Sequence, residues 1–209
     1  DFTLGGGTLT DLKDNPDNTF ATMNPLDNYY ASSTFSNGNN YITTQTSAET
    51  FNLSTLGMSS GKYYFEVKDI SSSQEHHVGV SYSSPDASTD WLGNGPWGWG
   101  YESTGEVNNN ASTLSGSWSS WTNGDIIGVA LDMDNNKLYF SKNGTWQNSG
   151  DPTSGSTGTG ALSITTNKTY FFAVGDKTGN SCQMATNFGN GYFGTTAITT
   201  NSGDGYSGA

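Results

Sequence analysis

Apolar residues recur at every second position over Ile127, Val129, Leu131 and Met133, and again at Leu138 and Phe140 after the polar break Asp134-Asn135-Asn136-Lys137. Period two is the signature of an extended chain with one buried face, so this stretch predicts two antiparallel strands and a tight turn. A two-residue turn at Asn135-Asn136 would set Met133 opposite Leu138 and Leu131 opposite Phe140, with every large apolar side chain on one side; a three-residue loop would set Met133 against Lys137. Asn tolerates the positive φ such turns require. On the other face Gly128 and Ala130 are small, which predicts close packing against that face as well.

The same alternation marks further strands. Tyr63, Phe65 and Val67 fall on one face of the run 62–68, with Lys62, Glu66 and Lys68 on the other, the pattern of a half-buried strand. His77 to Ser81 predicts a short strand, and Trp97, Trp99 and Tyr101 alternate with Gly98 and Gly100, whose bare side should press against a neighbour. Tyr170 to Gly175 and Cys182 to Gly189 are the last strands, and Asn37-Gly38 predicts a hairpin between Thr34-Phe35-Ser36 and Tyr41-Ile42-Thr43. No segment carries a helical period. The polar stretch from Asn148 to Gly160 offers nothing to a core and reads as a mobile surface loop. Residues 1–30 read as an extended arm, 31–195 as the sandwich, and 196–209 as a Gly/Ser-rich tail or linker, probing no core; the lack of an initial Met suggests a processed chain or a piece of a longer one.

Composition sharpens the all-β reading. Hydrophobic residues make up only 32%, yet aromatics reach 13%, so the interior of this 209-residue chain must be built from large rings. The net charge is −12 and all seven basic residues are lysine, which argues against nucleic acid as a partner and fits a soluble, self-repelling surface. Cys182 stands alone, which excludes an internal disulfide and a thiolate zinc site. No apolar run approaches the roughly 20 residues of a membrane-spanning helix, so membrane insertion by helices is not expected.

Five pieces in order, Gly61 to Val67, His77-Val78-Gly79-Val80, Gly98-Trp99-Gly100-Tyr101, Gly124 to Gly144 and Asn187-Phe188-Gly189, resemble a SPRY domain, the core of the B30.2 family. The leader around Asn24-Pro25-Leu26-Asp27 and Thr34 to Asn39 resembles the segment preceding such domains in virion proteins of marine bacteriophages. The family resemblance implies a concanavalin-like bent β-sandwich of two antiparallel sheets that binds partners through loops at one end and has no catalytic residues. The Gly/Ser-rich insertion around Ser149 to Gly160, and Phe172-Ala173 where a proline is frequent, depart from the family pattern.

Candidate chemistry is sparse. Asp132, Asp134 and Asn136 imitate the opening of a calcium loop, but Lys137 stands where that loop needs glycine and Asn143 where it needs a bidentate glutamate. His76 and His77 are adjacent and point to opposite faces of a strand, so they cannot share a metal. No G-x-S-x-G elbow occurs, and no strand offers the paired inward carboxylates of a glycosidase. Neither enzyme activity nor a cofactor or metal is expected. The resemblance places Trp99 and Trp121 in the core. Trp91, Trp97, Trp118 and Trp146, with the neighbouring Asp90, Asn94, Asn109 and Asn123, are the candidate ligand-binding residues, because flat aromatic faces beside polar groups suit sugars and protein anchors alike. The contact surface would comprise the loops Ser83 to Trp97, Asn109 to Asn123, Gly144 to Leu162 and Gly175 to Ser181. The expected function is a non-enzymatic recognition module of a phage virion, in a tail or head fibre, that binds a host-surface glycan or protein and is assembled with other virion subunits as a homo-oligomer. A structural or decorating virion domain and an intracellular peptide-binding adaptor are the alternatives. The expected location is the virion, outside the cell.

Overall fold

A computed structural model describes residues 20–71, 75–193 and the backbone of 196–197, so most of the expected arm and tail lies outside the described residues. The strands are β1 (Thr34–Ser36), β2 (Tyr41–Thr43), β3 (Phe51–Leu53), β4 (Lys62–Asp69), β5 (His76–Ser81), β6 (Gly98–Glu102), β7 (Glu106–Asn109) and β8 (Ser112–Thr113). They continue as β9 (Ile126–Asp132), β10 (Lys137–Lys142), β11 (Thr145–Trp146), β12 (Leu162–Ser163), β13 (Phe171–Asp176) and β14 (Gln183–Asn187), with a minor pair β15 (Tyr192–Phe193) and β16 (Thr196–Ala197).

Two antiparallel sheets result. The large one runs β1-β2-β14-β4-β9-β10-β11, with β12 also on β10, and the small one runs β3-β13-β5-β6-β7-β8. Phe65, Val67, Ile127, Val129, Leu131, Leu138 and Phe140 fill the inner face of the large sheet, and Val78, Val80, Trp99, Tyr101, Phe172 and Val174 that of the small one. The layers meet ring on ring: Phe65 stacks on Phe172 with centroids 4.2 Å apart, and Tyr101 lies 5.3 Å from Phe140. Cys182 is fully buried in this interior, and burial pushes its thiol well above the ordinary range.

The β9–β10 hairpin forms in a different register from the two-residue turn. Leu131 pairs with Leu138 and Asp132 with Lys137, so the loop is the four residues Met133 to Asn136. Asp132 sets this geometry: its carboxylate accepts the Asn135 backbone N–H at 3.0 Å and the Asn135 side-chain N–H at 2.9 Å, and Asn136 takes the left-handed φ of 55°. The register moves by two residues, which preserves the parity, so the same side chains still face inward. The first hairpin likewise closes over four residues, Asn37 to Asn40, with Ser36 opposite Tyr41.

A second, smaller core covers the outside of the small sheet. Phe51, Leu53, Leu92 and Ala173 are buried there, with Trp97 and Phe171 packed against them. The segment 83–97 therefore lies back across β5 and β6, and the glycines account for it: a Cβ at Gly100 would collide with the Leu92 carbonyl oxygen. Trp97 consequently departs from the face shared by Trp99 and Tyr101 and stacks beside Phe51, centroids 5.4 Å apart. The polar stretch 148–160 is folded on itself. The Asp151 backbone N–H donates to the Thr159 carbonyl at 3.0 Å, and the Asn148 side-chain N–H donates to the Gly160 carbonyl at 3.1 Å.

Candidate functional site: an aromatic groove on the large sheet

Strands β4, β9 and β10 lie side by side, and their outward positions form three rows: Glu66, Gly128 and Ser141; then Tyr64, Ala130 and Tyr139; then Lys62, Asp132 and Lys137. Gly128 has no side chain because a Cβ there would collide with Tyr64 Oη and Ser141 Oγ. In the next row the single methyl of Ala130 leaves a trough between the two tyrosines. Trp146, paired with Ser141 across β10 and β11, closes one side. Its ring centroid lies 6.1 Å from Tyr64 at 69° and 6.4 Å from Tyr139 at 75°, so three aromatic side chains meet edge to face. With residues Gly150 to Thr153 as a further wall, they enclose an open groove of about 550 Å³, within the size range of small-ligand sites.

The groove is held stiffly. Tyr64 Oη donates to Glu66 Oε1 at 2.9 Å, and Tyr139 Oη lies 3.4 Å from Ser154 Oγ. At the wall, Asp151 Oδ1 accepts the Thr153 backbone N–H at 2.9 Å and the Thr153 hydroxyl at 2.6 Å, which holds its carboxyl below the usual range. Lys62 Nζ stands 3.5 Å from Asp132 Oδ2 at one end. Burial there works against the Asp132 charge, but the hydrogen bonds from Asn135 and the nearby Lys62 outweigh it and lower its pKa. The resulting surface is aromatic at its floor and ionic at its ends.

Under the 83–97 segment the small sheet carries a separate polar cluster. His77 Nε2, Lys177 Nζ and Asn108 Nδ2 approach one oxygen, Glu102 Oε2, at 3.3, 3.1 and 3.2 Å. Lys177 Nζ also sits 4.7 Å from the centre of the Trp91 ring. Burial disfavours the charge of Glu102, but His77, Thr104 and Lys177 override it and bring the pKa down to about 2. Burial lowers His77 below its ordinary value despite the carboxylate beside it.

Among the residues singled out from sequence, Trp146 opens onto the groove, whereas Trp91 lies under Lys177, Trp97 on Phe51, and Trp118 between Tyr101 and Phe140 at 6.0 and 6.1 Å. Asp90 accepts the Asp86 backbone N–H at 3.1 Å and the Asn94 side-chain N–H at 3.4 Å, which ties both residues into their own loop. Asn109 donates to the Gly98 carbonyl at 2.7 Å, and Asn123 is exposed on the turn before β9. His76 and His77 do face opposite ways, His76 toward Asp69 at 3.1 Å and His77 toward Glu102. Asp134, from the calcium-like run, accepts the Gly61 backbone N–H at 2.7 Å. Tyr64 and Tyr139 were not among the candidates. Their signal was available: both are aromatic at positions whose parity points away from the core.

Two antiparallel sheets closed over an aromatic interior, bent so that the outer faces carry their own side-chain layers, define a concanavalin-like β-sandwich. Residues 62–189 match the family model described as SPRY domain, and the chain belongs to this family, whose domains typically mediate protein–protein interaction. It is 38% identical over 91 residues to an ATP-dependent RNA helicase DDX1 of Xenopus laevis, and 30% identical over 90 residues to a Ran-binding protein 9 of Danio rerio. Those matches cover 44% and 40% of this chain but only 12% and 14% of the relatives' lengths. Among solved structures, the SPRY domain of human HERC1 superposes with a TM-score of 0.53 at 18% identity, covering 74% of this chain and 91% of that one. The TRIM65 PSpry domain gives 0.60 at 16% identity, covering 80% and 92%.

Proposed function

We propose that this domain is a non-enzymatic recognition module that takes its ligand in the groove between Tyr64, Tyr139 and Trp146. The observation that carries the reading is the placement of three aromatic rings on the solvent side of the sheet, where strand alternation would ordinarily place polar groups. The rings line a preformed trough, Tyr64 and Trp146 half-buried and Tyr139 buried, and anchor a ligand that gains area without the site having to order itself. The ligand is a glycan or protein of a host cell surface, and the domain is carried, as part of a homo-oligomer with other subunits, on the outside of a phage virion. The resemblance of the leader to segments of virion proteins supports this setting, and the net charge of −12 suits a surface that must resist non-specific sticking.

The test is binding of the purified domain to arrayed glycans and to host cells, with Trp146 fluorescence following titration of any hit. Trp146→Ala should weaken binding about tenfold or more while the fold persists. Binding that is equally strong in Trp146→Ala, or no binding by either protein, would sink the assignment and leave a spacing or decorating role.

A further inference from the structure

The polar cluster on the small sheet contains an amine, a carboxamide and a carboxylate in contact, and neither the core nor the groove uses them. Glu102 on β6 and Asn108 on β7 point outward from adjacent strands, and Lys177 follows the last residue of β13. Lys177 Nζ is 3.1 Å from Glu102 Oε2, and Asn108 Nδ2 is 3.2 Å from the same oxygen. Glu102 and Asn108 are 2% and 3% exposed, so their reactive groups are shielded from bulk water. The segment carrying Trp91 and Leu92 forms the lid.

We propose that Lys177 and Asn108 join in an intramolecular isopeptide bond, with Glu102 as the proton carrier. Lys177 gives a proton to Glu102 across their contact and becomes a neutral amine. Its lone pair attacks Cγ of Asn108, and the C=O π pair moves onto Oδ1. The Thr113 hydroxyl, 3.1 Å from Oδ1 and 3.0 Å from Glu106 Oε2, can turn its single proton to the oxygen that gains charge. Glu102 returns its proton to Nδ2, the attacking nitrogen loses its second proton to the carboxylate, and the Cγ–Nδ2 bond breaks. An amide and one molecule of ammonia are the products. The sum is balanced, with no oxidant, metal or nucleotide required, and the Lys177 side, 31% exposed, is the exit for ammonia.

Two features favour closure. The three groups are already gathered on one oxygen, so the encounter is unimolecular. The product also replaces an ion pair, whose carboxylate is buried and costly to desolvate, with a neutral amide. Since the ion pair is the resting form, the reacting neutral pair is a minority, and closure is a slow maturation. The bond would tie β7 to the end of β13 across β5 and β6. That gives a chain whose single cysteine can form no internal disulfide a covalent staple closing a long loop.

Intact-mass spectrometry of the full chain, freshly purified and after prolonged incubation at neutral pH, is the decisive measurement. The wild type should become lighter by one ammonia, and digestion should release a branched peptide joining Lys177 to Asn108. Lys177→Arg, which retains the cation and the contact with the Trp91 ring, should stay at its sequence mass, as should Glu102→Gln. A wild type that keeps its sequence mass would overturn the proposal. So would an ammonia loss that persists in Lys177→Arg, since succinimide formation at Asn-Gly sites such as Asn37-Gly38 gives the same mass without a crosslink.

Discussion

Trp146 meets Tyr64 edge to face, ring centroids 6.1 Å apart at 69°, on the side of the large sheet that faces solvent. The contact follows from three placements: Tyr64 projects from β4, Ala130 beside it has no bulk, and β11 brings Trp146 back against β10. A groove built this way can be filled without touching the core. Ala130→Phe would put a third ring between Tyr64 and Tyr139, where cross-strand aromatic pairs are favourable. Urea denaturation should show stability unchanged within about 0.5 kcal/mol, while ligand binding is lost. A large loss of stability would mean that the trough is part of the packing.

The opposite expectation holds at Gly79. This residue pairs with Gly100 on one side and Ala173 on the other, and a Cβ on it would run into the Trp99 carbonyl oxygen. Backbone cannot yield as a side-chain tip does. Gly79→Ala should therefore cost about 1–3 kcal/mol, the range of overpacked cores, measurable as a lower denaturation midpoint with an unchanged slope. A midpoint equal to wild type would show that β5 and β6 can separate freely.

Period-two alternation made much of this architecture legible in the sequence. It placed β4, β9, β10 and β14 and their inner faces, because Phe65, Val129, Phe140 and Met184 each repeat the spacing of a half-buried strand. It could not place Trp97, whose spacing matches Trp99 and Tyr101. The chain turns before β6, and Phe51, distant in sequence, offers it a surface on the other side of the sheet. The same blindness hid the groove. Tyr64 and Tyr139 sit next to core aromatics in sequence, and alternation sorts them by face without showing that β11 returns with Trp146 to roof them. The hairpin register was open for a local reason, since the apolar pattern fixes parity but not loop length. Asp132, by accepting two hydrogen bonds from Asn135, selects four residues.

That local selection is testable. Asn136 has φ of 55°, where a Cβ costs roughly 1–2 kcal/mol unless a short polar side chain eases it. Asn136→Ala should lose about 1 kcal/mol in thermal or urea unfolding, and Asn136→Gly should match or slightly exceed wild type. Equal losses in both would point to an Asn136 side-chain contact as the stabilising element instead of the backbone conformation.

Asp176 gives a pH dependence of a definite sign. It is fully buried at the end of β13 near His76 and Cys182, and its Oδ1 accepts the Gly179 backbone N–H at 3.0 Å. Burial raises its pKa from 3.8 to about 6, with Thr44, the Gly179 hydrogen bond and the neighbouring His76 acting the other way. A carboxyl that holds its proton more tightly folded than unfolded stabilises the fold at low pH. That contribution is lost as pH rises through the folded value, so ionised Asp176 is a liability at neutral pH of at most about 3 kcal/mol. Asp176→Asn removes the charge while keeping an oxygen for Gly179. It should unfold at higher urea than wild type at pH 8, by an equivalent of about 1–3 kcal/mol, and the two proteins should converge toward pH 4. A destabilised variant at pH 8, or a gain that persists unchanged at pH 4, would show that the carboxylate is held by a partner and is not strained by its burial.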